Sequence, residues 1–123
     1  MDHTLAPPVF DAGAWALYMG PLGDAADEIV EVWQRELGRR VTAIIHAARQ
    51  RDEPALADAA HTLRSSATYV GAARLAAACG RVEHALAGRE TWDVIDAEVP
   101  TIHRDAIDAS HALRARSLSR VPR

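Results

Sequence analysis

Lysine is missing from this 123-residue chain, and all 14 of its basic residues are arginine. Together with the abundance of alanine, that reads as coding bias and carries no functional message. Cysteine occurs once, as Cys79, which excludes an internal disulfide framework and suits a reducing compartment. No apolar run approaches the ~18 residues that a membrane span requires. The opening MDHTLAPPVF lacks the apolar core of a signal peptide, so a cytoplasmic protein without a membrane partner is expected. An excess of positive charge is also missing. The net charge is −3 with acid and base interspersed, whereas a nucleic-acid binder shows a basic stripe. The seven glycines are scattered, so there is no phosphate-cradling loop and no GxGxxG. Threonine, tyrosine, phenylalanine and isoleucine are scarce; what remains is alanine, leucine and arginine. That composition predicts an all-α fold.

A chain of this length forms one small domain that buries roughly two-thirds of its unfolded surface. Helix punctuation divides it. Asp11 caps a short helix over about 11–19, broken by GPLGD at 20–24. A long helix follows from about Asp24 to Gln50, with Val30, Trp33, Leu37, Val41, Ile44 and Ala48 on one face. RDEP at 51–54 stops and restarts the chain, with Asp52 or Glu53 capping and Pro54 tolerated in a first turn. The third helix, to about Thr68, points Leu56, Ala59 and Leu63 inward, and Gly71 supplies a turn that needs positive φ. A fourth, about 72–87, buries Leu75, Ala78, Cys79, Val82 and Leu86. Thr91 caps a fifth that buries Trp92, Ile95, Val99, Ile102, Ala106 and Leu113, with Pro100 expected to kink or split it. The expected architecture is an antiparallel up-down four-helix bundle preceded by a short N-terminal helix. Residues 1–8 form a tail, 9–114 the bundle, and 115–123 a tail expected to be disordered.

His61 is the residue that asks for an explanation. Leu56, Ala59 and Leu63 lie about 140–200° around the helix from it, so its imidazole faces solvent. Arg64 and Ser65 stand one turn further along the same face, with Ala57 and Thr68 completing a flat surround. A neutral imidazole is a nucleophile near pH 7 that carries a phosphoryl group on nitrogen, and arginine's fork suits the resulting phosphate. Met19, Leu22 and Ile29 fit either an apolar rim near His61 or the core. Cys79 reads as a small core residue and Glu83 as a structural residue near a helix end or interhelical contact. Histidines 46, 84, 103 and 111 form no i,i+4 metal pair.

The segment AHTLRSSATYVGAARLAAACGRVE, residues 60–83, resembles the signature of histidine-containing phosphotransfer (HPt) domains. That pattern runs Ala-His-x-Leu-Lys-Gly, a hydrophobic-Gly-Ala turn, then Leu-x-x-x-Cys-x-x-hydrophobic-Glu. Ala60, His61, Leu63, Val70, Gly71, Ala72, Leu75, Cys79, Val82 and Glu83 fall in register. The resemblance implies a phosphorelay intermediate in which His61 accepts a phosphoryl group through Nε2 from a receiver-domain aspartyl phosphate and passes it to another receiver's aspartate. It implies no cofactor of its own, since magnesium and the catalytic acids sit on the receiver. The implied partners are receiver domains of a hybrid sensor kinase or of response regulators, and a monomer is expected. Arg64 stands where the family has lysine, and Ser65 where it has glycine. Arg64 is expected to stabilise the phosphate and Ser65 to keep the docking face small. Two other readings stay open: an HPt-like module that binds a receiver without transfer, and the phosphoacceptor domain of a chemotaxis-type kinase.

Overall fold

The computed structural model describes residues 6–119. Among them are five α-helices and one 3-10 turn, with no strand. Helix α1 (Ala12–Tyr18) starts where the Asp11 carboxylate accepts hydrogen bonds from the backbone N–H groups of Gly13 and Ala14, at 2.9 and 3.1 Å. After the 3-10 turn Gly20–Leu22 comes α2 (Ala25–Arg49), whose first turn carries Asp27 and Glu28 at the positive end of the helix dipole. Helix α3 (Glu53–Tyr69) is capped by Asp52, which accepts from the Ala55 N–H, with Pro54 in its first turn. Helices α4 (Ala73–Ala87) and α5 (Trp92–Ser119) complete the chain.

Helices α2 to α5 each pack on the next, and α2 packs on α5, closing a four-helix bundle with α1 laid against α3. The whole expected α2 stripe is buried. On α3 the buried set is Leu56, Ala60, Leu63 and Ala67, with Ala59 only partly covered, so the inward face is rotated slightly from the expected one. Trp33 is the one core residue of α2 with a donor to satisfy, and its indole N–H reaches Ser66 Oγ of α3 at 3.0 Å. Two turns are pinned individually. Gly71 joins α3 to α4 at φ +80. Arg51 joins α2 to α3 at φ +54, a conformation held by three contacts of its guanidinium: Ala48 O, both oxygens of Asp96, and the face of Trp92.

In the C-terminal third, the split that was one of the two outcomes expected at Pro100 and the start of the tail are corrected. Pro100 does not split α5, which runs unbroken from Trp92 to Ser119. One missing N–H removes one rung, while Ile95 before it and Ile102 and Ala106 after it are buried in the same core. The expected tail from 115 is helical through Ser119, because Leu113 is buried and the Arg116 guanidinium lies 3.7 Å over the Trp15 ring of α1. Residues 120–123, like 1–5, lie outside the described residues.

Candidate functional site

The α3–α4 hairpin builds the site. His61 lies ten residues before Gly71 and Glu83 twelve after it, so antiparallel packing brings them level. Leu63 and Ala67 hold one helix on the core, Cys79 and Val82 the other, and this fixes the outward positions between them. The His61 side chain keeps 60% of its surface exposed. Its Nδ1 lies 3.1 Å from Glu83 Oε2. Arg64 donates from Nε to Glu83 Oε1 and from Nη2 to Oε2 at 3.5 Å, and the same Nη2 is 3.1 Å from His61 Nδ1. Gly80 lies beside the Arg64 stem, where a Cβ would make an ordinary van der Waals contact with Arg64 Cδ at 3.4 Å. The Thr68 hydroxyl bonds back to the Arg64 carbonyl at 2.9 Å.

Partial burial pushes the Glu83 carboxyl up, but hydrogen bonds from Arg64 and then His61 outweigh it and hold the group below its ordinary range. Glu83 is therefore an anion at neutral pH. An anion accepts the Nδ1–H of a neutral imidazole, and that tautomer leaves the lone pair on Nε2. No described residue partners Nε2. The ring is thus oriented by its inner nitrogen and open at its outer one. Beneath it, burial pushes the Cys79 thiol up to about 12, so the sulfur next to the site is a protonated, unreactive packing group.

His61 and Arg64 come together as their spacing indicates, yet Arg64 is engaged by Glu83 and does not stand free beside the ring. Ser65 is half-buried, not fully exposed. The rim resolves as well. Met19 is core, whereas Leu22 and Ile29 are exposed together with Val32 and Leu17. Tyr69, two turns past His61, stacks edge-on against Tyr18 of α1 with ring centroids 4.8 Å apart. Ile29 and Val32 flank Trp33 on the side of α2 that meets α3. Exposed apolar side chains on α1, α2 and α3 therefore lie toward the C-terminal end of α3, with Tyr69 about 12 Å along that helix from His61. Glu83 is the functional candidate that sequence reasoning passed over as structural. Its near-mirror distance from Gly71 was the available signal.

The family model described as Hpt domain matches residues 28–115. The chain belongs to the Hpt domain family. Among solved structures, the HPt domain from the Hpt sensor hybrid histidine kinase of Shewanella is similar in fold, with a TM-score of 0.75 and 17% identity. The match covers 94% of this chain and 97% of that one. No curated protein matches the chain. As an Hpt domain it is a histidine phosphotransfer module of phosphorelays, a phosphocarrier and not a classical enzyme, of the kind that works with receiver domains in hybrid-kinase phosphorelays. Among the described residues no helix of this Hpt domain is long and apolar enough to cross a membrane.

Proposed function

We propose that His61 is the phosphoacceptor of this Hpt domain and that it relays the group between receiver domains. The Nε2 lone pair attacks phosphorus in line, the Nε2–P bond forms, and the P–O bond to the receiver aspartate breaks, its electron pair leaving on the carboxylate. The ring becomes cationic, with hydrogen still on Nδ1, and the Glu83 anion 3.1 Å away stabilises that charge. Donation is the reverse: a carboxylate oxygen attacks phosphorus and the N–P pair returns to Nε2. Arg64 offers the phosphate oxygens a cation, and the receiver supplies magnesium and its acidic cluster. The apolar band of Tyr18, Leu22, Ile29, Val32 and Tyr69 docks the receiver, and half-buried Ser65 keeps the approach to the ring low.

One observation carries this reading: an exposed histidine with Nδ1 held by an anion and Nε2 open, on the hairpin of an Hpt fold. The test is labelling from a radiophosphorylated receiver. Wild type takes an acid-labile, base-stable label, and none from ATP alone; His61→Gln keeps its helical circular dichroism and takes none. Label retained in His61→Gln, on any other histidine, overturns the assignment. Binding of the receiver by wild type without labelling establishes a non-transferring module instead.

A further inference from the structure

Residues 7–11 form a strap across the α3–α4 turn, ahead of the segment matched by the family model. Arg74, in the first turn of α4, holds it twice. Its backbone N–H donates to Pro8 O at 3.0 Å and its Nε to Pro7 O at 2.8 Å. The Asp11 N–H donates to Gly71 O at 2.7 Å, and the Phe10 ring lies so close that a Cβ on Gly71 would approach it to 3.1 Å. Prolines 7 and 8 bring fixed φ angles and carbonyls without competing N–H groups, so the strap orders at low entropic cost. What it leads into is α1. That helix is two turns long, too short to be stable alone, and takes its orientation from its anchors. The anchors are the strap at its start, Trp15 between Phe10 and Arg116 in its middle, and Tyr18 on Tyr69 at its end. Its outward side chains are Leu17, 67% exposed, and Tyr18. These join Tyr69 in the exposed apolar surface on the same helix as His61.

We infer that Arg74 is a positioning residue for the receiver: by clamping the carbonyls of Pro7 and Pro8 it fixes α1, and so sets how tightly the receiver docks, without touching His61 or the phosphoryl group. The inference rests on the proposed relay reading. Arg74 lies nine residues before Glu83, about 14 Å along α4, too far to act on the reacting atoms. Its loss should therefore divide the kinetic constants. A hydrogen bond from a charged donor, discounted for a half-buried position, corresponds to a roughly threefold to tenfold loss of affinity.

The experiment is phosphotransfer from a phosphorylated receiver to the full chain, with KM and kcat resolved, beside calorimetric titration of the same receiver. Arg74→Ala should raise KM and Kd by roughly threefold to tenfold and leave kcat within about twofold. Arg74→Lys, which keeps a donor and a positive charge near buried Asp105, should recover most of the affinity, and thermal melts should show the same fold in all variants. In a Tyr18→Ala background the Arg74→Ala effect should largely vanish, because both act through α1. A general loss of stability would instead add in full. An unchanged KM and Kd in Arg74→Ala, full additivity with Tyr18→Ala, or a fall in kcat alone overturns the inference. If wild type binds the receiver but takes no label, the relay reading falls, while the Kd arm still decides the role of Arg74.

Discussion

Removing the Glu83 carboxylate should slow acceptance of the phosphoryl group more than donation. Glu83 holds the proton-bearing Nδ1 at 3.1 Å and ties down Arg64, and the ring it faces turns cationic as the N–P bond forms. Losing a hydrogen bond to a charged group is worth on the order of 1.5–3 kcal/mol. The Glu83 side chain is 23% exposed, so water replaces part of what is lost, and about 1–2 kcal/mol applies. That is a fivefold to thirtyfold slower acceptance at about 1.4 kcal/mol per decade. Since the phosphorylated ring loses the same partner, the equilibrium shifts toward the receiver by a similar factor and donation changes little. Glu83→Gln keeps an acceptor for Nδ1–H but not the charge, and should fall between wild type and Glu83→Ala. Single-turnover quenched-flow labelling in both directions measures each quantity. A Glu83→Ala protein with unchanged circular dichroism that accepts within twofold of wild type would refute the role given to the carboxylate.

The same carboxylate leaves a pH signature. Its folded pKa lies below its unfolded value of about 4.3, so the stability it adds is complete above that pH and disappears as acid takes the folded protein through its own lower pKa. The melting-temperature gap between wild type and Glu83→Gln should hold from pH 7 to about 5 and close below, and a gap that widened in acid would contradict the assignment. Cys79, buried and with its thiol pushed up to about 12, should resist iodoacetamide in the native protein at pH 8 and react only on unfolding; native-rate labelling would show the site to be more open than described. At Ser65, glutamate adds bulk and a charge that repels phosphate, so Ser65→Glu should cut transfer far more than Ser65→Gly, while both change stability by within about 1 kcal/mol. Equal transfer rates for the two would remove Ser65 from the docking face.

Much of the fold could be read because its punctuation is local. Asp11 and Asp52 cap through bonds two or three residues long, and Gly71 turns through its own φ, so no distant residue is needed to infer them. The end of α5 could not be read the same way. Residues 115–119 are helical, and Arg116 among them packs on Trp15, a hundred residues away in sequence. Pro100 does not split α5 for the related reason that burial on both sides outweighs a local breaker. At the site, His61 and Arg64 share one helix face and were legible together. Glu83 is on another helix, and only the hairpin makes it a neighbour. The rim was undecidable because the 3-10 turn Gly20–Leu22 resets the helical period between Met19 and Ile29, so periodicity could not say which of them faced out.

Arginine at position 64 follows from the company it keeps. One guanidinium grips both oxygens of Glu83, through Nε to Oε1 and through Nη2 to Oε2 at 3.5 Å, a two-point hold that a single ammonium does not reproduce. On the proposed reading, the phosphoryl group arrives at Nε2, on the far side of the ring from that contact. Arg64 must then leave part of its bond with Glu83 to meet the phosphate oxygens. Each step toward the phosphate weakens the hold on Glu83 just as Glu83 gains a cationic ring to face. The two changes oppose one another, which flattens the free-energy difference between the loaded and empty states. A cation dedicated to the phosphate would deepen the loaded state and slow donation. Sharing it with Glu83 keeps the phosphoryl group transferable in either direction, as a relay intermediate requires.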